Sequence, residues 1–123
     1  MIGDPSFRGN SRNNINVEEV KTWYNNISKQ IKKFLKFDGL PKQIKVLNNH
    51  TWLSNLSVIN FLQNVGKNFH IKKMLSQESN KKRLNSTEHS FSYTEFTYSI
   101  LQGYDFYHLH KNYGVILQIG GSD

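Results

Sequence analysis

The sequence predicts a single α/β domain in which helices flank a parallel sheet. Helical periodicity alternates with short β-branched stretches along the chain, which is the pattern of helices crossing over between parallel strands. The 123 residues, of which 37% are hydrophobic, suffice for one modest core and not for two domains. No internal repeat or low-complexity segment interrupts the pattern.

The first half of the chain contains one long helix and one strand in this prediction. Residues 1–14 are rich in glycine, serine and asparagine, as in a loop. An apolar stripe at helical spacing from Val17 to Leu35 predicts the first helix, with Asn16 as its N-cap. The stretch FDGLPKQ ends that helix, and IKVLNN, residues 44–49, is short and β-branched enough to form a strand.

Two further helices are predicted in the middle of the chain. The stretch SVINFLQNVGKNF, residues 57–69, is amphipathic, with Ser57 as a candidate cap and Gly66 near its end. A short third helix is predicted from Ser76 to about Leu84, and the polar stretch NSTEHSFS that follows is predicted to be a loop.

The last helix begins at a clear sequence signal. Ser92 and Glu95 have the S-x-x-E spacing of a capping box, and the helix is predicted to run from there to about His110, where NYG closes it. The next stretch, VILQI at residues 115–119, is predicted to be a buried strand, and GGSD a glycine turn.

Three polar side chains form a stripe on this last helix. Tyr98, Gln102 and Asp105 fall at i, i+4 and i+7, and apolar residues on both sides predict that both helix faces are buried. A buried amide and carboxylate are unfavourable unless they are hydrogen-bonded. By itself the pattern favours a structural network satisfied by backbone groups. The functional alternative is a pocket for a ligand that carries an ammonium and a hydroxyl group, such as an amino acid.

Several other kinds of site are excluded. The chain contains no cysteine, which rules out disulfide scaffolds, thiolate zinc sites and thiol nucleophiles. His108 and His110 are two residues apart, so on a helix they point in different directions and cannot share a metal ion. Neither glycine turn has the spacing of a Walker phosphate-binding loop.

The charge of the chain favours an anionic partner. The formal net charge is +7 and the pI is about 9.7, so nucleic acid is the first expectation. The abundance of lysine, asparagine and isoleucine is also what an AT-rich genome produces, and part of the charge is attributed to that bias. The apolar runs are too short to span a bilayer, and no signal peptide is recognisable.

The two ends of the chain resemble each other. The chain begins with IGDPS and ends with IGGSD, both of which read as strand-to-glycine-turn junctions. In open α/β sheets, ligands bind where such junctions lie at the carboxyl edge of the strands. We therefore expect residues 1–123 to be an internal fragment of one catalytic domain in a longer enzyme.

The motifs MIGDPS, TEFTYSILQGYDF and LQIGGSD resemble those of tyrosyl-tRNA synthetase of the bacterial or organellar kind. The resemblance covers essentially the whole chain. It implies part of a Rossmann-like class I catalytic domain with an incomplete sheet. It also implies a ligase that activates tyrosine with ATP to tyrosyl-adenylate and transfers it to tRNA(Tyr).

The resemblance also implies roles for individual residues. Asp4, Tyr98 and Gln102 would hold the ammonium group of tyrosine, and Asp105 would accept a hydrogen bond from its phenol, with Gln118 behind the pocket. Arg8 and Arg12 would face the leaving pyrophosphate, and Gly121 and Asp123 would hold the ribose of ATP. Tyr93, at the start of the last helix, would lie in a homodimer interface.

The resemblance further implies that parts of the active site are missing from this sequence, and it implies a cosubstrate and a cellular compartment. The H-x-G-H and K-M-S-K-S elements of the family and its C-terminal tRNA-binding domain are not in this sequence, so the chain by itself is expected to be inactive. ATP is expected as a substrate with Mg²⁺ as its counterion, without a tightly bound cofactor. The expected location is the bacterial cytoplasm or an organellar matrix, without a membrane partner.

Two alternatives stay open at this point. Tryptophanyl-tRNA synthetase shares the fold and also places an acid on the equivalent helix, although Tyr98 and Gln102 after T-E-F favour tyrosine. A non-catalytic RNA-binding protein derived from a synthetase is compatible with the charge, but such a binder would have no use for Asp105.

Overall fold

The computed structural model describes residues 2, 15–35, 45–86 and 91–120. Within these residues every regular element is helical. The described part of the chain contains six α-helices: α1 (Val17–Phe34), α2 (His50–Leu53), α3 (Val58–Asn60), α4 (Ile71–Ser76), α5 (Glu78–Leu84) and α6 (Tyr93–Tyr113). A π-helical turn (Phe61–Val65) and a 3-10 turn (Gly66–Asn68) follow α3 directly. Of the described residues, 15–35 and 45–55 belong to one compact unit, and 2, 56–86 and 91–120 to a second.

The predicted α/β fold with a parallel sheet is wrong for the described residues. Residues 45–48, in the first predicted strand, and residues 115–119, the second, adopt no regular structure. A strand satisfies its N–H and C=O groups only by pairing with another strand, and neither segment has a strand beside it in the described part of the chain. The second segment is also not buried, since Ile116 and Ile119 are 92% and 87% exposed.

The first unit contains the predicted long helix, and its start is confirmed. The Asn16 side chain accepts a hydrogen bond from the Glu19 N–H at 2.9 Å, and the Glu19 carboxylate accepts one from the Asn16 N–H at 3.4 Å. This capping box satisfies two N–H groups that the first helical turn leaves unpaired. Lys32 and Lys33 lie in the last turn, where their positive charges interact favourably with the negative end of the helix dipole.

The middle of the chain is more segmented than the sequence predicted. Ser57 is confirmed as a cap, since its Oγ accepts from the Asn60 N–H at 3.2 Å. The predicted amphipathic helix follows it, but as α3 and two turns of different pitch. The predicted third helix corresponds to α5, and the short helix α4 before it was not predicted. The buried Asn80 joins these two helices by donating to the Met74 carbonyl at 2.8 Å.

The second unit is built around a small apolar core. Val65, Met74 and Ile100 are its buried members. Half-buried apolar side chains surround them: Leu56, Phe61, Phe69, Phe96 and Tyr104. Because Phe96, Ile100 and Tyr104 all lie on α6, this core anchors the N-terminal half of the helix that carries the polar stripe.

Both predicted ends of the last helix are confirmed, with a small extension. The Ser92 Oγ accepts from the Glu95 N–H at 3.2 Å, and the Glu95 carboxylate accepts from the Ser92 N–H at 3.1 Å. The helix continues past His110 to Tyr113, which adds slightly less than one turn. It ends at Gly114, whose φ is +67°. Glycine adopts this left-handed conformation without the steric penalty that a Cβ brings.

Candidate functional site

The polar stripe, which consists of Tyr98, Gln102 and Asp105, lies on uninterrupted α-helix. All three residues are in α6 and all three are half-buried. At about 100° per residue they fall within an arc of about 60°, so they present a phenol, an amide and a carboxylate along one side of the helix. The structure confirms the spacing on which the sequence prediction depended.

The prediction that both faces of α6 are buried is wrong for its second half. Ile100 is only 8% exposed, but Phe106 and Tyr107 are 41% and 54% exposed. The core touches the helix through Phe96, Ile100 and Tyr104 in its first half, whereas in the second half Phe106 and Tyr107 are exposed and Leu109 is half-buried. The polar stripe therefore runs from the packed half of α6 into the open half, with Asp105 at the outer end.

A fourth polar residue continues the stripe toward the helix start. Glu95 precedes Tyr98 by three residues and lies on the same side of α6. Its Oε1 accepts a hydrogen bond from Arg83 Nη1 at 2.8 Å, and the two side chains are only 11% and 16% exposed. The sequence predicted a role for Glu95 in the capping box alone. The S-x-x-E signal pointed to the residue but not to its partner on α5.

The two histidines near the end of α6 face different partners. The ring of His108 lies between those of Tyr104 and Tyr113, with centroids 6.2 and 6.1 Å away. His110 Nδ1 lies 3.0 Å from the Val115 carbonyl, to which it donates in the tautomer protonated at Nδ1. These contacts agree with packing roles. Among the described residues, no group of three or more potential ligands is arranged to hold a metal ion.

The other predicted site residues belong to the two ends of the chain and to the start of α6. Gln118 is exposed in the irregular segment after α6 and Tyr93, the first residue of α6, is 73% exposed. The remaining five lie outside the described residues: Asp4, Arg8, Arg12, Gly121 and Asp123. Their convergence on the polar stripe stays a prediction. No helix in the described part of the chain has the length and apolar character to cross a membrane.

Comparison with known proteins decides the family. Residues 1–123 match the family model described as "tRNA synthetases class I (W and Y)". The chain belongs to the class I tRNA synthetases. In this synthetase chain, the match extends over the residues of the polar stripe and over all the motifs at both ends.

Individual relatives of this synthetase chain carry a more specific name. It is 50% identical over 123 residues to "Tyrosine--tRNA ligase" of Streptococcus agalactiae serotype Ia. It is 46% identical to proteins of the same name from Escherichia coli O139:H28 and Shigella boydii serotype 18. Each alignment covers the whole of this chain and 29% of the relative. The resemblance to tyrosyl-tRNA synthetase is therefore confirmed, and these relatives carry the name of the tyrosine enzyme.

Proposed function

We propose that this synthetase chain supplies part of the tyrosine and ATP site of a tyrosine–tRNA ligase. The observation that carries the proposal is the polar stripe, half-buried on a helix whose first half is anchored in the core. The identity of 46 to 50% with relatives named tyrosine–tRNA ligase supports it. The ligase would join tyrosine to ATP as tyrosyl-adenylate and then transfer the tyrosyl group to tRNA(Tyr).

The chemistry of the stripe fits a tyrosine molecule lying along the helix. The phenol oxygen of Tyr98 and the amide oxygen of Gln102 can accept hydrogen bonds from the substrate ammonium. Asp4 would add a carboxylate, and a charge-assisted bond of this kind is roughly twice as strong as a neutral one. Asp105, about two turns from Tyr98 at 3.6 residues per turn, would accept the hydrogen bond from the substrate phenol.

The nucleotide would lie toward the two ends of the chain. We assign the ribose of ATP to Asp123 and the backbone of Gly121, with Gln118 supporting the tyrosine pocket. Arg8 and Arg12 would face the leaving pyrophosphate, where guanidinium groups stabilise the charge that develops on the β- and γ-phosphates. Mg²⁺ would accompany ATP as its counterion, and ATP is a substrate in this scheme.

The macromolecular partners follow from the same assignment. The net charge of +7 suits tRNA(Tyr), whose phosphates attract lysine and arginine. Tyr93, 73% exposed at the start of α6, is assigned to a homodimer interface, where exposed aromatic residues are enriched. We place the ligase in the bacterial cytoplasm or an organellar matrix.

A chimeric enzyme tests the function without depending on the chain alone. In what we term the exchange ligase, this chain replaces the matching 123 residues of the Streptococcus agalactiae relative, to which it is 50% identical. We expect pyrophosphate exchange with ATP that depends on tyrosine and not on tryptophan. The unmodified relative is the positive control.

Two outcomes would overturn the assignment. Exchange that depends on tryptophan would move the chain to the other branch of its family. A folded exchange ligase, with a melting temperature close to that of the relative, that supports exchange with neither amino acid would favour the non-catalytic RNA-binding alternative.

A further inference from the structure

A shielded ion pair joins α5 to the first turn of α6. Arg83 Nη1 lies 2.8 Å from Glu95 Oε1, and the two residues are 12 positions apart in the chain. The Lys21–Glu18 and Lys82–Glu78 pairs, by contrast, connect neighbours on one helix, three and four positions apart. The Arg83–Glu95 pair is therefore a tertiary contact, which constrains where α6 lies relative to α5.

The burial of this pair sets it apart from the others. Its side chains are 16% and 11% exposed, whereas those of Lys82 and Glu78, at the same 2.8 Å separation, are 74% and 81% exposed. Water and salt screen an exposed pair, but a shielded pair interacts more strongly and tolerates the loss of one partner poorly. Helix α5 thus carries both members of an exposed pair and one member of a shielded pair, which allows a matched comparison between the two.

The two carboxylate oxygens of Glu95 have separate partners. Oε2 accepts from the N–H and the hydroxyl of Ser92, at 3.1 and 3.2 Å, and completes the capping box. Oε1 accepts from Arg83. One side chain thus fixes the start of α6 and ties that start to α5.

The pair and the core hold α6 on different sides. Ile100 is buried in the core and, at 100° per residue, points about 140° away from Glu95 around the helix axis. A helix held at two such directions cannot rotate about its axis without breaking one contact. Because Tyr98 is less than one turn beyond Glu95, rotation of this end would change the direction of the polar stripe.

We propose that Arg83 and Glu95 are positioning residues for the tyrosine site, and that their ion pair fixes the rotation of α6 so that Tyr98 and Gln102 face the substrate ammonium. The substrate part of this inference rests on the proposed function. The pair itself does not touch the substrate; it acts through the orientation of the helix.

The first test uses the 123-residue chain without any ligand. In Arg83→Met and Glu95→Gln, we expect the side-chain amide signals of Gln102 in an NMR spectrum to shift. Glutamine at position 95 retains the S-x-x-Q form of the capping box, so helix initiation is preserved while the charge is lost. Glu78→Gln, which breaks the exposed pair, should leave those signals unchanged.

The second test measures pyrophosphate exchange by the exchange ligase. Arg83→Met should raise the KM for tyrosine by about tenfold and change kcat by less than about twofold. The reason is that a rotated polar stripe weakens the binding of tyrosine, whereas the chemical step does not involve Arg83. Arg83→Lys should recover part of the affinity. Glu78→Gln should match the unsubstituted exchange ligase.

The double variant Arg83→Met/Glu95→Gln separates positioning from stability. It removes both charges of the pair instead of one, so its melting temperature should recover relative to Arg83→Met. Its KM for tyrosine should stay high, because the tie between α5 and α6 is still missing. A KM that recovers together with the melting temperature would mean a purely structural role and would overturn the proposal.

Failure of the two proposals can be told apart. An unsubstituted exchange ligase without tyrosine-dependent activity would overturn the proposed function. The Gln102 signals would then still show whether the ion pair fixes the rotation of α6. Normal tyrosine dependence combined with unchanged KM and unchanged Gln102 signals in Arg83→Met would overturn the positioning role alone.

Discussion

The ring of Phe69 lies directly against the backbone of Gly103. A Cβ added at Gly103 would meet Phe69 Cζ at 2.9 Å and Cε1 at 3.4 Å. Glycine in the middle of a helix lowers its stability by about 1 kcal/mol relative to alanine. Here the missing side chain lets a core ring approach α6 next to Gln102, at the centre of the polar stripe.

Gly103→Ala should therefore destabilise the chain despite the better helix propensity of alanine. Displacing a packed ring costs typically 1 to 3 kcal/mol, so we expect a net loss of about 1 kcal/mol in the free energy of unfolding, measured in urea. Gly66→Ala is the control: its nearest neighbour to a new Cβ is the Phe61 carbonyl oxygen at 3.7 Å, and its φ is −54°. That variant should gain up to about 1 kcal/mol. Equal gains for both would show that Phe69 does not hold this position in solution.

Ser99→Ala should be neutral or stabilising. The Ser99 Oγ is buried on α6 without a hydrogen-bond partner among the described residues. Removing an unsatisfied hydroxyl and inserting the best helix former should raise the free energy of unfolding by up to about 1 kcal/mol. Ser92→Ala in the same helix should have the opposite sign, with a loss of about 1 kcal/mol, because it removes the N-cap. A loss of similar size at Ser99 would mean that its hydroxyl is bonded.

How far the sequence predicted the fold depends on the range of each signal. The caps at Asn16, Ser57 and Ser92 were predicted correctly because each bonds within three residues of itself. The strands were not, because β-branched residues predict a strand only if another strand pairs with them. Residues 115–119 have the right composition and no such neighbour within the described part of the chain.

The same distinction applies to the candidate site. The spacing of the polar stripe was readable because one helix carries it. The contact between Glu95 and Arg83 was not, because the two residues are 12 positions apart in the chain and no local sequence pattern specifies such a contact.

The Glu78 carboxyl should titrate at lower pH than an isolated glutamate. A hydrogen bond from Lys82 and the charge of that lysine lower the pKa of Glu78, and Lys81 contributes less. Since the folded pKa is the lower one, the stabilising contribution is present above the unfolded pKa and is lost as pH falls through the folded pKa. An NMR titration of the Glu78 side chain should show a higher midpoint in Lys82→Gln, and in high salt. An unchanged midpoint in Lys82→Gln would contradict the pairing.

Asp105→Ala in the exchange ligase should weaken the preference for tyrosine over phenylalanine. Asp105 lies at the outer end of the polar stripe, where we assign it to the substrate phenol. With phenylalanine bound, the wild-type carboxylate would lose the donor that tyrosine offers, whereas alanine has no acceptor to leave unsatisfied. We expect the ratio of kcat/KM values for tyrosine and phenylalanine to fall by about tenfold or more, the worth of a hydrogen bond to a charged group. An unchanged ratio, with activity retained, would remove Asp105 from the recognition of the phenol.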